Sequence, residues 1–414
     1  MNSASASTAI AHKRKRIILQ SSCLALLLIY SLTWGQRILA GGAIGRDSDF
    51  LATYTAARLF NAGYGQALYD LTTQARLQHA IVRLHVPPAD LLPFIHPPFF
   101  VLPFLPLGIL PYTWAFVAML AVNLALLLVT LRLLVTHLSG LATIGRVTLL
   151  LACLSFFPCF VNLIQGQNAL LTLLILTAAF GLLKQKQDGA AGAVLALSLY
   201  KPQLMLVFVL ILLVKQRRRA VAAFCVMAIL LIALSYSIVG CRGFADYIKL
   251  TITASPLVDG AYGVNYPQMH NWRGLFRLWF GPNRSREINT STILASIITL
   301  LPLIWSWRGP WRPDGAKFDL QFASTIVATL LISPHLNTHD LTLWILVGTL
   351  ALNQARSRSQ RRIVEGLIVA GSLISFLSLP LNQVLPLQLT TVFMAILATL
   401  LCLSIERDHS PARR

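Results

Sequence analysis

His12-Lys13-Arg14-Lys15-Arg16 followed by the long, mainly apolar run from Ile17 to Trp34 decides how the rest of this chain is read. A basic patch ahead of an apolar run describes either a cleaved export signal or a first membrane helix. Here the run is longer than a signal core, and many similar blocks follow. An uncleaved first helix with its basic tail (residues 1–16) inside is therefore expected. The composition agrees: of 414 residues, 56% are hydrophobic and only 12% are charged. About one quarter charged is usual for a soluble domain, so a water-soluble enzyme and a disordered tail protein are both excluded.

Apolar blocks of about 20 residues span a bilayer as α-helices. About twelve are expected, at 17–38, 112–136, 147–164, 168–183, 189–201, 203–215, 220–239, 291–307, 320–334, 340–353, 363–379 and 388–405. The two around Pro202 are short, and residues 97–111 carry five prolines. That segment reads as entering the outer leaflet without crossing. The expected fold is a single all-α polytopic membrane domain with both termini cytoplasmic, the second being the basic tail 406–414. The net charge of +20 would suggest nucleic acid in a soluble chain. Here its Lys and Arg lie in short breaks between spans, as the positive-inside rule dictates, so no nucleic-acid partner is expected. The six cysteines show no metal-ligand spacing.

Sorting the breaks by charge places residues 41–96 and 240–290 outside as the two long outer loops. The first is too long for a simple connector. Within it, Phe50, Tyr54, Ala57, Leu59 and Phe60 form an apolar helical face, with Arg58 and Asn61 off it. A second amphipathic piece covers Thr72 to Leu84, with Leu77, Ile81 and Leu84 on the apolar side. Both are expected to lie in the membrane interface. Asp47 and Asp49 stand just before the first of them. Asp49 reads either as a helix N-cap or as a general base whose pKa is raised by apolar surroundings.

Other polar residues of the outer breaks carry paired readings. Lys201 is a snorkelling lysine or a cation for a donor phosphate. Arg273 and Trp272 belong to an interfacial aromatic belt, or else Arg273 clamps a phosphate while Trp272 stacks on a sugar. Gln165, Gln167 and Asn168 satisfy helix ends or bind sugar hydroxyls. His96 opens the proline-rich segment, where the prolines alone account for a helix start. His335 and His339 share a helical face, but the glutamate of a metalloprotease motif is missing. No metal centre is expected. One of the pair, His339 ahead of His335, reads as a partner orienting Asp49, or both cross-link helices at the rim. No acid or base falls at the middle of a span, which counts against a transporter.

The blocks Asp49-Phe50-x-x-x-Tyr54-x-Ala56-Ala57, Gly63-x-x-x-x-Leu68-Tyr69-Asp70 and His96-Pro97-Pro98-Phe99-Phe100 resemble the first outer loop of glycosyltransferase family 87. The likeness continues through Asn162 to Asn168, Tyr200-Lys201-Pro202-Gln203, Asn271-x-Arg273-Gly274-Leu275 and Ser333-Pro334-His335 to His339-Asp340. The resemblance implies a GT-C bundle, in the bacterial inner membrane, similar to polyprenol-phosphate-mannose-dependent α-1,2-mannosyltransferases. It implies no cofactor, a lipid-linked sugar phosphate as donor, and a glycan or glycolipid as acceptor. It places the catalytic aspartate on Asp49, with Asp47 as rival. This chain departs from the family in having His96 where relatives often have Tyr, and in the sequence His335-Leu336-Asn337-Thr338-His339. The rival reading is a flippase-like transporter without transferase activity.

Overall fold

The computed structural model describes residues 3–39, 48–82, 91–138, 141, 144–253, 266–382 and 384–407. They form helices and connecting turns, with no strand among the described residues. The long α1 (Ser3–Leu39) is followed by α2 (Phe50–Asn61) and α3 (Leu71–Val82). The bundle continues through α4 (Tyr112–His137), α5 (Arg146–Ser155), α6 (Phe157–Ile164), α7 (Ala169–Lys184), α8 (Asp188–Ala196) and α9 (Leu206–Val214). Its second half comprises α10 (Arg218–Thr253), α11 (Trp272–Phe280), α12 (Ser285–Ser306) and α13 (Ala316–Ile332). It closes with α14 (Trp344–Gln354), α15 (Arg358–Asn382) and α16 (Leu389–Arg407).

Against about twelve expected spans, four helical stretches among the described residues are long and apolar enough to cross a membrane: Lys13–Gln36, Tyr112–His137, Arg218–Ile252 and Ser285–Ser306. A fifth is the pair α5 and α6, bent by 71°. The expected span 147–164 breaks there because Phe156 is extended and Pro158 has no N–H to continue the ladder. The blocks at 168–183, 189–201, 203–215, 320–334 and 340–353 fold as helices of 17 residues or fewer, whereas 363–379 and 388–405 lie in α15 and α16, of 25 and 19 residues. Lys201 separates two single-turn 3₁₀ pieces between α8 and α9, the second opening on Pro202, and Ser333-Pro334 ends α13. α10 runs past the expected end at 239 and turns at Gly240, whose φ of 67° suits glycine. Residues 97–111 form 3₁₀ turns at Pro98–Phe104 and Leu107–Ile109 rather than a span-length helix.

The main core joins the lower part of α4 to α5, α7, α8, α9, α13, α14 and α16 around Phe180, Phe318 and Phe322. A second core lies against α2, where Phe50, Tyr54, Phe94, Phe100, Phe116 and Tyr200 pack together. Exposed Leu28, Ile29, Leu128, Ile229, Leu230, Ile298 and Leu301 on the long helices face outward. A helix face of that kind is satisfied by lipid rather than water.

α2 buries Phe50, Tyr54, Ala57 and Leu59 of the face expected of it, with Phe60 half-buried and Arg58 and Asn61 exposed. α3 does not. Its buried face is Gln74, Gln78 and Val82, whereas Leu77 and Ile81 are only partly covered; Leu84 lies outside the described residues. The glutamines hold extended backbone: Gln78 Nε2 donates to Leu92 O at 2.6 Å, and the Leu92 and Phe94 N–H groups donate to Gln78 Oε1 and Gln74 Oε1 at 3.2 and 2.8 Å. A buried extended segment must find such partners, and apolar periodicity does not report them.

α8 and α10 cross at closest approach where Gly192 meets Ala220. A Cβ on Gly192 would stand 1.9 Å from the Ala220 carbonyl oxygen. Gly192→Ala is therefore expected to destabilise the fold by about 1–3 kcal/mol, whereas Gly189→Ala, built into open space, costs far less. Thermal unfolding of the two variants in detergent checks this; equal melting would contradict the close crossing.

Candidate active site

The site begins with a helix end. α6 stops at Gln165, and Gly166 follows with φ 58°. The Gly166 N–H donates to Leu163 O at 3.1 Å and the Gln167 N–H to Asn162 O at 2.9 Å, a pattern that glycine closes readily. A Cβ on Gly166 would lie 2.7 Å from Phe50 Cβ, so the first turn of α2 seats directly on this corner. The exposed Gln165 carbonyl then accepts from Phe50 N at 3.0 Å and from Ser48 Oγ at 2.8 Å.

Docking α2 in this way fixes Asp49. It occupies the N-cap position, yet its side chain makes no capping bond. Instead Gln167 Nε2 donates to Asp49 Oδ2 at 2.5 Å. Burial raises the Asp49 pKa and nearby Asp340 adds to that, while the Gln167 hydrogen bond and the Lys201 charge oppose it. Of the two readings open for Asp49, the capping role is therefore not the one its side chain takes. The rival Asp47 lies outside the described residues.

Lys201 and Asp340 form the second part. Lys201 Nζ donates to Asp340 Oδ1 at 2.6 Å, both side chains being more than nine-tenths buried. Asp340 is the third residue of the 3₁₀ stretch Thr338–Leu343 and completes a capping box: its Oδ2 accepts from Asn337 N at 3.1 Å. Burial pushes the Asp340 carboxyl up, but Lys201 and the Asn337 amide outweigh it and hold the group below the usual carboxylate range. Asp340 was not singled out as a site residue from the sequence. The signal was present in Asn337-x-x-Asp340, a capping pattern, although nothing in the chain order pairs residue 340 with residue 201.

The remaining candidates divide. His339 does not reach Asp49. Its Nδ1 lies 3.3 Å from Gln165 Oε1 and its Nε2 3.6 Å from Asp340 Oδ2, so the hydrogen-bonding partner of Asp49 is Gln167. Burial pushes the His339 pKa down to about 3, leaving a neutral ring. His96 Nδ1 lies 3.2 Å from the Tyr200 carbonyl oxygen. Since a carbonyl only accepts, Nδ1 carries the proton and Nε2 is an acceptor. Burial, with the Lys201 charge, lowers its pKa to about 4. The neutral imidazole thus stands beside the peptide that carries Lys201.

Asn168 precedes α7, and its carbonyl accepts from Tyr200 Oη at 2.9 Å. His335 is half-buried, and desolvation lowers its pKa, with Lys201 and Arg273 acting in the same direction. Arg273 turns inward from α11 and donates to Asn289 Oδ1 at 3.1 Å. Trp272 does not join the group, because its Nε1 donates to Thr299 on α12 at 2.9 Å and its ring stacks on Phe276. Arg277, one turn after Arg273 and also buried, escaped the sequence reading. The i, i+4 spacing of two arginines was the available signal.

A family model for glycosyltransferase family 87 matches residues 94–334, more than half of the chain. The chain belongs to this family. It is therefore a glycosyltransferase, and its long apolar helices make it a membrane one; the transporter reading gives way. Within the matched segment lie His96, Gln165, Gln167, Asn168, Lys201, Trp272 and Arg273, while Asp49 precedes it and His335, His339 and Asp340 follow it. No curated protein and no solved structure matches the chain.

A buried ion pair costs most when one partner is removed. Lys201→Met is expected to lose about 3–5 kcal/mol, and adding Asp340→Leu to restore most of it without restoring activity. Equal unfolding temperatures for the single and double variants would contradict the pairing. Because its folded-state pKa is depressed, Asp340 contributes stability above about pH 4, lost as pH falls towards the lower folded value. Asp49 has the opposite sign: its raised pKa favours the fold at low pH, and that contribution is lost as pH rises through it.

Proposed function

We propose that this glycosyltransferase moves one hexose, mannose by family resemblance, from a polyprenyl phosphate to a hydroxyl of a lipid-linked or cell-envelope glycan. The transfer takes place on the outer face of the membrane with inversion, in a bundle of the GT-C type. The observation that carries this reading is the Asp49 carboxylate. It is half-buried, raised in pKa by desolvation, held through one oxygen by Gln167, and set in the field of Lys201. A carboxylate tuned upward takes a proton more effectively than an ordinary surface aspartate.

Asp49 takes the proton from the acceptor hydroxyl on Oδ1, the oxygen that Gln167 does not hold. The acceptor oxygen forms the new bond at the anomeric carbon from the face opposite the phosphate. The anomeric C–O bond to the phosphate breaks, and its electron pair leaves with the polyprenyl phosphate. A phosphate leaving group needs no acid residue, so one base suffices. Lys201 and Arg273 stabilise the charge that develops on the departing phosphate. Asp340 holds Lys201 at the site. Gln165, Gln167, Asn168 and His96 supply polar groups for sugar hydroxyls. Trp272, directed to α12, serves the frame around Arg273 and not as a stacking platform.

Purified protein given a synthetic short-chain polyprenyl-phosphate mannose tests the reading. Asp49→Asn is expected to lower transfer by about 10²–10⁴-fold while donor binding is kept, with Asp47→Asn close to wild type. Loss in Asp47→Asn alone would move the base. Failure of wild type to bind or turn over any polyprenyl-phosphate sugar would overturn the donor class.

A further inference from the structure

Two helical hairpins turn in the same way, side by side, at the end of the bundle remote from Asp49. After α7, the Lys186 and Gln187 N–H groups donate to Leu183 O and Leu182 O, each at 2.9 Å. After α9, the Gln216 and Arg217 N–H groups donate to Leu213 O and Leu212 O, each at 2.9 Å. Lys186 (φ 62°) and Gln216 (φ 54°) both hold the left-handed conformation without being glycine, which carries a local cost. The contact of Gly192 with Ala220 brings the starts of α8 and α10 together behind these turns.

Between the turns lies an open cavity of about 440 Å³ lined by Lys186, Arg217, Arg218, Arg219, Asp188 and Gly189 among others. Lys186, Arg218 and Arg219 are exposed. Open space stands where a Gly189 Cβ would point, so the first turn of α8 faces the cavity, and the positive ends of two helices add to the four cations. Two acceptors stand near them: Asp314 pairs with Lys186 at 3.3 Å on the exposed rim, where the pair can open, and Asp188 lies within. Asp188 is only 7% exposed and receives Arg217 Nε on Oδ2 at 2.9 Å, but its Oδ1 has no hydrogen-bond partner. An apolar strip on α9, Leu206, Leu210, Leu213 and Val214, is exposed and leads up to the second turn.

We propose that this cavity binds the headgroup of an anionic membrane phospholipid, a phosphodiester that carries a free hydroxyl. The phosphate meets Lys186, Arg218 and Arg219, the headgroup hydroxyl donates to Asp188 Oδ1, and the acyl chains lie along the α9 strip. Cations alone would accept any anion. The unpartnered carboxylate oxygen selects a hydroxyl, and the apolar strip selects a lipid over a soluble phosphate. α7, 16 residues long, separates this site from Gln167 by roughly 24 Å, so the lipid does not occupy the transfer site.

Native mass spectrometry of the purified full chain with phosphatidylglycerol, phosphatidylmethanol, phosphatidylcholine and inorganic phosphate tests the proposal. Wild type is expected to retain one phosphatidylglycerol in preference to the other lipids. Arg218→Gln with Arg219→Gln should weaken retention roughly thirtyfold, and Lys186→Gln provides a second, milder variant. The unfolding temperature without lipid verifies that the variants are folded. Equal retention of phosphatidylcholine, unchanged retention in both variants, or full displacement by millimolar inorganic phosphate would each overturn the lipid site. Equal retention of phosphatidylmethanol would overturn the role of Asp188.

Discussion

A charge pair sealed from water, Lys201 with Asp340, is the constraint around which the site is organised. Ions taken out of water remain ionised only when paired and hydrogen-bonded, and this pair meets the condition through the Asn337 amide as well as through its own contact. It ties the break between α8 and α9 to the turn before α14, two segments 139 residues apart. It also sets the electrostatics of Asp49, since Lys201 lowers and Asp340 raises the pKa of that carboxyl. The neutral rings of His96 and His339 stand around the pair without adding charge, because burial keeps both unprotonated near neutral pH.

The backbone delivers Asp49 to that field by a different means. Gly166 closes α6 in a conformation other residues adopt at a cost, and leaves room for Phe50. The Gln165 carbonyl then anchors two groups of the α2 start. Asp49 thus inherits its position from a glycine corner and from the aromatic cluster of Phe50, Tyr54, Tyr112 and Phe116, while its side chain is left for Gln167. Helix ends supply the polar groups and packed aromatics hold them in place. That arrangement suits a reaction whose catalysis rests on positioning and a single base.

The all-α membrane class was legible because hydropathy is additive along the chain, and long apolar runs such as Tyr112–His137 appear as written. The number of spans was not legible. Hydropathy counts apolar residues but does not register where Pro158, Pro202 or Pro334 breaks the ladder, and several blocks become short helices packed against protein. The α2 face followed from its periodicity. The α3 face did not, since Gln78 is buried by exchanging hydrogen bonds with Leu92 and Gln74 by accepting one from the Phe94 N–H. Likewise Asp49, Lys201 and Gln167 were each visible as residue types in the outer breaks. Their grouping depends on contacts 118 and 139 residues apart, which spacing cannot report. Assigning His339 to Asp49 failed for that reason: the nearer amide of Gln167 takes the bond.

The account stands on one claim, that Asp49 is the base and that Lys201 and Asp340 tune it. The pH dependence of sugar transfer in Lys201→Met and Asp340→Asn, measured on the residual activity of each, tests this most directly. Removing the Lys201 charge should move the rising acid limb to higher pH, and removing the Asp340 charge should move it to lower pH. A limb that stays at the wild-type position in both variants, or moves in the same direction in both, would show that the titrating base lies outside the field of this pair.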